Sequence, residues 1–210
     1  MKKDKPKTER KLTAAEERRK AHFEEIKAEL EGQGYESRDL MISIAAANAV
    51  SVAILAAAAA VVLGLMYAVH GTLWSGDFNM LWFALVFIAS IFIHEGIHGI
   101  TWGAFAKNHM KSIEFGFIVQ MLTPYCTCSE PLKKHQYLLG TLMPLIILGI
   151  LPSIAAVITG SMFAAVVGIL MISAAAGDIM IAWKVLKCRH SADQLFVDHP
   201  YEGGSVVFER

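Results

Sequence analysis

The sequence predicts an all-α integral membrane protein with four transmembrane helices, a short cytoplasmic β-hairpin-like loop and a small cytoplasmic C-terminal β tail. Two observations lead to this fold class. The 210-residue chain is 55% hydrophobic with a mean hydropathy of +0.46, which is more apolar than an ordinary soluble domain. Its basic residues also lie in only three segments, and long apolar stretches separate them.

The apolar stretches define the predicted spans, because a helix needs about 20 apolar residues to cross the hydrocarbon core of a bilayer. The longest stretch, residues 137–183, exceeds one span and is interrupted by a Thr-Gly-Ser sequence at 159–161, so we predict two helices there. Pro144 and Pro152 predict a bend in the first of these two helices. The four predicted spans are residues 41–69, 81–106, 137–158 and 162–183.

The distribution of charge predicts the topology. Of the 19 Lys and Arg residues, 11 lie in residues 1–40, four in 107–136 and four in 184–210, whereas residues 70–80 and 159–161 contain none. Cytoplasmic loops carry an excess of Lys and Arg, so both termini are expected in the cytoplasm, and the expected location is the cell membrane. The lipid bilayer is then a partner. Nucleic acid is not expected as a partner, because the chain has no basic patch of the kind that binds nucleic acid.

The polar segments divide the rest of the chain. Residues 1–40 form a charged N-terminal tail and helix, residues 1–12 being a Lys-rich tail that we expect to be disordered. Thr13 and Glu16 have the form of a capping box and predict a helix that stops near Gly32. Its narrow apolar stripe, formed by Phe23, Ile26 and Leu30, predicts docking on another surface, with a lipid-surface role as the alternative.

Two segments have the composition of strands. The centre of the loop 107–136 is rich in β-branched and aromatic residues, which predicts a strand or hairpin. The C-terminal tail, residues 184–210, predicts two short strands around a Gly-Gly turn. No structural disulfide is expected, because Cys126, Cys128 and Cys188 all face the cytoplasm in this topology. For the Cys126–Cys128 pair we favour packing over a second metal site.

The most informative motif is His94-Glu95-Gly96-Ile97-His98, which lies inside the second span. Ionisable groups at membrane depth are costly and mark functional sites. Residues four apart share one helical face, so His94 and His98 are candidates to bind one metal ion. Glu95 then lies beside that ion as a candidate general base.

A catalytic zinc usually has three protein ligands, and Asp178 is the candidate third ligand because it is the remaining ionisable residue at membrane depth. With a rise of 1.5 Å per residue, His94 and His98 lie about 20 and 26 Å below Leu81, and Asp178 lies about 24 Å below Met162. Other interpretations remain open at this point. Asp178 is alternatively a helix-end carboxylate near the interface, and the alternative ligands are His109, His135, Asp198 and His199.

The HEGIH motif, the strand-like loop after it and the later Gly177-Asp178 resemble intramembrane metalloproteases of the site-2 protease type. More closely, the chain resembles a domain-of-unknown-function family described as zincin peptidases. The resemblance covers residues 81–205, including YCTCSEPL at 125–132 and DHP at 198–200. It implies that His94, His98 and Asp178 bind Zn²⁺, that Glu95 is the catalyst, and that residues 81–183 form a metalloprotease-like three-helix core.

The expected function is therefore a membrane-embedded zinc metallopeptidase that cleaves a membrane-anchored protein near the cytoplasmic face. Within residues 112–119, an apolar strand is expected to pair with an unwound substrate. The alternative is a non-catalytic metal-binding scaffold, a pseudoprotease. A metal transporter is a third hypothesis, and the lack of ligands along the other spans argues against it. The candidate substrate-binding residues are Ser112, Ile113, Glu114, Phe115, Gly116 and Phe117.

Overall fold

The computed structural model describes residues 12–73, 78–118, 123–188 and 193–210. The predicted disordered tail lies outside these ranges except for its last residue, and so does Val119 at the end of the expected substrate strand. The helices are α1 Ala14–Gly32, α2 Ile44–His70, α3 Met80–Gly103, α4 Lys134–Pro144, α5 Leu151–Thr159, α6 Met162–Ala174 and α7 Ala176–Lys187. The strands are β1 Glu36–Met41, β2 Ile113–Ile118, β3 Thr123–Cys128, β4 Leu132–Lys133, β5 Leu195–Asp198 and β6 Gly204–Glu209.

The described part of the chain has three helices that are long and apolar enough to cross a membrane: α2, α3 (continued to Phe105) and the continuous run Lys134–Thr159. The prediction of a single fourth helix over residues 162–183 is wrong. The chain breaks at Ala175, and α6 and α7 meet there at an angle of 49°, so they form a fourth span only if the bent pair is counted as one. Hydropathy did not reveal this break, because apolar residues continue on both sides of Ala175.

Where the sequence predicts a bend in the third span, the structure has a π-helical segment, Leu145–Ile150, between α4 and α5. It follows Pro144, the last residue of α4. Proline has no backbone N–H and interrupts the α-helical hydrogen-bond ladder, and π-helical segments are a common way for a helix to absorb such an interruption.

The all-α class needs a correction, because the strands form two antiparallel sheets. The predicted loop hairpin is confirmed as β2–β3, hereafter the hairpin, with Phe115 opposite Cys126. The predicted C-terminal pair is confirmed as β5–β6, but it belongs to a four-stranded sheet in the order β1-β6-β5-β4. The sequence ESRDLM of β1 has no strand alternation of its own. It becomes a strand by pairing along the whole length of β6.

Helix α1 docks on this four-stranded sheet, as its apolar stripe predicts. The Thr13–Glu16 capping box is present at its start. Phe23 and Leu30 are buried in a cluster with residues of β5 and β6, and Ile26 packs against the same cluster. The lipid-surface alternative for this stripe is therefore wrong, since burial against the sheet leaves it no free apolar face. The other members of the cluster are Val197, Val206 and Phe208.

Segments that carry the basic residues meet at one end of the helices, hereafter the basic end. The Arg38 side chain on β1 contacts the Cys188 thiol at 3.5 Å, and Lys134 Nζ donates to the Cys188 carbonyl at 2.9 Å. At the opposite end, His70 Nε2 lies 2.9 Å from the Val157 carbonyl. The loops without Lys or Arg therefore lie together, away from the strands.

Candidate metal centre

Three ionisable side chains converge between α3 and the first turn of α7. His94 Nε2 lies 3.2 Å from His98 Nε2 and 3.1 Å from Asp178 Oδ2. Asp178 Oδ1 lies 3.5 Å from His98 Nε2. One ligand atom from each residue falls within 4.8 Å of the others, and this is the metal-capable group found among the described residues. The convergence expected from helix depth is thus present, and the alternatives His109, His135, Asp198 and His199 are not part of the group.

The spacing of the three groups suits a zinc ion. Zn–N and Zn–O bonds of about 2.0–2.1 Å place two ligands of a tetrahedral site about 3.3 Å apart, close to the separations found here. A carbonyl only accepts hydrogen bonds, so the 2.8 Å contact between His98 Nδ1 and the Gly140 carbonyl assigns the proton to Nδ1. The Nε2 lone pair of His98 then faces the carboxylate and His94, where it is available to a metal ion.

The break at Ala175 brings Asp178 to the histidines. Asp178 lies in the first turn of α7, three residues after the break, so its direction is set by α7 and not by α6. Asp178 thus lies at the start of a helix inside the apolar stretch, and its side chain reaches both His94 and His98. Both histidines are buried, with 8% and 4% of their surface exposed, while 19% of the Asp178 side chain is exposed. The site is therefore not sealed from its surroundings.

Glu95 lies between the two histidines in sequence and outside the ligand group in space. Its half-buried carboxylate faces the backbone N–H of Cys126 on β3. Strand β2, the expected substrate strand, packs its side chains against α3 at Gly99. The packing is so close that a Cβ at Gly99 would lie 2.5 Å from the Phe115 ring and 3.0 Å from Ile113. The hairpin thus covers the helix face that carries the HEGIH motif, and β3 is the strand whose backbone meets Glu95.

Asp198 is an anchor that sequence reasoning offered only as an alternative ligand. It accepts hydrogen bonds from the Tyr137 hydroxyl at 2.6 Å and from the Cys128 backbone N–H at 2.8 Å. Burial raises the pKa of this carboxyl group. Asp198 therefore joins β5 to both β3 and α4, and the DHP sequence at 198–200 was the feature that marked it.

Arg19 on α1 is a second anchor, which sequence reasoning missed. Its guanidinium donates to the Pro200 carbonyl at 2.9 Å and to the Tyr125 hydroxyl at 3.0 Å, and it pairs with Glu114 at 3.4 Å. It also lies over the Tyr125 ring, 5.2 Å from the centroid. The spacing carried a signal, because Arg19 lies four residues before Phe23 and therefore on the helical face of the apolar stripe. Its neighbours Arg18 and Lys20 are exposed.

The cysteines of β3 behave as packing residues. All three cysteines are free thiols, and Cys128 is buried in the core with Trp102 and Tyr137. Burial raises the pKa of the Cys126 thiol strongly and that of Cys128 to about 12. Because the thiolate is the form that binds metal, protonated thiols at neutral pH support the packing interpretation over a second metal site.

The buried histidine pair and the aspartate form a group that could hold a metal ion, and a glutamate lies next to them on a membrane-length helix. The family model described as "Putative zincin peptidase" matches residues 87–192, half of the chain, and the protein belongs to this family. Membership supports a metallopeptidase and implies zinc as its metal. No curated protein and no solved structure matches the chain.

Proposed function

We propose that this protein is a zinc-dependent endopeptidase embedded in the membrane, and that it cleaves a membrane-anchored protein near the cytoplasmic face. One observation carries the proposal: His94, His98 and Asp178 converge within 4.8 Å, and Glu95 stands beside them on the same helix as the histidines. The family match supports the metallopeptidase class. The apolar helices on both sides of the site support a membrane location.

Four residues would carry out the proposed reaction. His94, His98 and Asp178 would hold the metal. Bound zinc supplies a Lewis acid that lowers the pKa of water towards 7 and stabilises negative charge on the substrate's carbonyl oxygen. Glu95 accepts a proton from the attacking water and delivers it to the nitrogen of the leaving amine. The Cys126 N–H holds the Glu95 carboxylate in place during both transfers.

The hairpin is the proposed substrate platform. Among the described residues, β2 pairs only with β3, so its outer edge is free to accept an extended peptide strand. Phe115 and Phe117 of β2 are about half exposed, which suits an apolar peptide drawn from a membrane anchor. Of the expected substrate residues, Ser112 and Ile113 are buried, so we propose Glu114 to Phe117 as the residues that align the substrate. Strand β3 supports Glu95 from the other side.

The orientation of the chain is part of the proposal. The basic end carries the four-stranded sheet, the hairpin and helix α1, and the opposite end lacks Lys and Arg in its loops. By the positive-inside rule the basic end lies in the cytoplasm, together with both termini. Since α3 runs towards this end and His98 lies five residues before its last residue, the proposed cleavage occurs near the cytoplasmic face.

The test combines metal analysis of the purified protein with cleavage of a membrane-tethered reporter peptide. Wild type should contain zinc and cut the reporter. Glu95→Gln should keep zinc and fold while losing about 10²–10⁴-fold in rate, because the side chain keeps its size but loses its basicity. His94→Ala should lose both zinc and activity. Glu24→Gln, on the exposed face of α1, is the matched control and should behave as wild type.

Two results would contradict the proposal. Cleavage by Glu95→Gln at the wild-type rate would exclude Glu95 as the base. Zinc-loaded wild type that cuts no reporter would favour the non-catalytic metal-binding scaffold instead.

A further inference from the structure

Pro144 lies four residues after Gly140 in α4, at the position whose N–H would donate to the Gly140 carbonyl in a regular α-helix. Proline has no N–H, so this intrahelical hydrogen bond cannot form. The Gly140 carbonyl instead lies 2.8 Å from His98 Nδ1 on the neighbouring helix α3. The missing donor in one helix thus leaves an acceptor for a side chain of another helix.

The hydrogen bond to Gly140 decides which nitrogen of His98 carries the proton. Neutral imidazole has one N–H, and a carbonyl partner at Nδ1 places the proton there. The Nε2 atom then carries a lone pair, and it is Nε2 that faces His94 and Asp178. The tautomer that a metal requires is therefore set before any metal arrives.

The His98 ring is fixed by a stacking contact in addition to its hydrogen bond. The Trp102 indole stacks on His98 with ring centroids 4.9 Å apart and an angle of 15°. Trp102 is itself fixed, since its Nε1–H donates to the Tyr137 carbonyl at 3.1 Å. A Cβ at Gly140 would collide with the Trp102 ring, so glycine is required for this close approach of α4.

We propose that Pro144 is a positioning residue of the metal centre. By withholding an N–H from the Gly140 carbonyl, it reserves that carbonyl for His98 Nδ1 and keeps His98 Nε2 ready to bind a metal ion. This role rests on the proposed function, in that it assigns His98 as a ligand. Pro152 in the same span allows a comparison. The residue four positions before it, Leu148, has no link to a metal ligand.

The experiment compares Pro144→Ala with Pro152→Ala. Each substitution restores one backbone N–H in the same membrane span, but only the first supplies a donor that competes for the Gly140 carbonyl. Zn²⁺ affinity is measured by competition with a chelator, and the absorption spectrum of the Co²⁺-substituted protein reports ligand geometry. We expect Pro144→Ala to weaken Zn²⁺ binding about 10–100-fold and to alter the Co²⁺ spectrum, as for other changes in groups that orient metal ligands. Pro152→Ala should change neither.

The tautomer of His98 gives a second readout that needs no metal. In ¹⁵N NMR spectra of the metal-free wild type, assigned with His98→Gln, His98 should be protonated at Nδ1. In Pro144→Ala the fraction protonated at Nε2 should rise. If Pro144→Ala does not fold, protonation of wild-type His98 at Nε2 would still overturn the proposal.

The outcomes separate this inference from the proposed function. Protonation of wild-type His98 at Nε2, or equal Zn²⁺ affinities for the two proline variants, would overturn the role of Pro144. Failure of wild type to bind Zn²⁺ would overturn the proposed function, while the tautomer measurement would still test the effect of Pro144 on His98.

Discussion

Ser51 on α2 and Ser173 on α6 exchange hydrogen bonds immediately before the break at Ala175. Ser51 Oγ donates to the Ser173 carbonyl at 3.1 Å, and Ser173 Oγ donates to the Ser51 carbonyl at 3.0 Å. The first span therefore supplies a donor to a carbonyl at the end of α6, where the helical ladder is interrupted. The first apolar helix thus supports the turn that presents Asp178.

The first prediction concerns this serine pair. Ser51→Ala should lower the free energy of unfolding by about 0.5–1.5 kcal/mol, the net contribution of a hydrogen bond, and should weaken Zn²⁺ binding because the break at Ala175 loosens. Thermal unfolding and chelator competition measure the two effects. Ser90→Ala is the matched control, since the Ser90 hydroxyl bonds only to the Val86 carbonyl of its own helix. Equal Zn²⁺ affinity in the two variants would argue against a link between Ser51 and Asp178.

Arg19 provides the second prediction. Arg19→Ala should release α1 from the hairpin, because the Pro200 carbonyl and the Tyr125 hydroxyl both lose their donor. Loss of a buried hydrogen-bonded partner costs about 1–3 kcal/mol. Hydrogen exchange should therefore rise in both α1 and β3. The exposed Arg18 is the adjacent control, and Arg18→Ala should leave exchange in both elements unchanged.

The third prediction tests the close approach of α3 and α4. Gly140→Ala should lower the free energy of unfolding by about 1–3 kcal/mol, because the added Cβ collides with the buried Trp102 ring. It should also shift the tryptophan fluorescence. Gly64→Ala, in the interior of α2, meets no atom within 4 Å and should be neutral or stabilising, since alanine favours helix over glycine. A stable Gly140→Ala variant would contradict the packing described here.

The fourth prediction is a pH dependence at Glu130, which follows strand β3 of the hairpin. Glu130 accepts from the Lys107 N–H at 2.6 Å and from Asn108 Nδ2 at 2.5 Å. Partial burial favours the protonated form, but the interaction with the Ser112 hydroxyl, together with these hydrogen bonds, outweighs it and lowers the pKa of Glu130 from its usual value. The stability that Glu130 contributes is therefore fully present above its unfolded pKa and is lost as pH falls through the lower folded pKa.

Unfolding temperatures of wild type and Glu130→Gln, measured between about pH 3 and pH 6, check this dependence. The difference in unfolding temperature between wild type and Glu130→Gln should be constant near the upper end of this pH range and shrink towards about pH 3. The exposed Glu24→Gln serves as the control and should follow wild type at every pH. A difference in unfolding temperature that grew on acidification would contradict a lowered pKa of Glu130 in the folded protein.

The sequence by itself determined the features that depend on local chemistry. The three continuous spans follow from the length of apolar stretches, and α1 follows from the Thr13–Glu16 capping box. The spacing of His94 and His98 places both on one helical face, whatever the rest of the chain does. The hairpin and the β5–β6 pair were predictable because strand composition and turn residues act within a few positions of each other.

Only the tertiary structure decided how distant residues meet. Asp178 lies 84 positions after His94, and its place in the site depends on a break at Ala175 that no apolar pattern records. The strand β1 exists because β6 offers it hydrogen-bonding partners, not because ESRDLM favours a strand. The Gly140 carbonyl serves His98 because Pro144 cannot use it. In each case the deciding interaction joins separate elements, and local propensity carries no information about which elements will pack together.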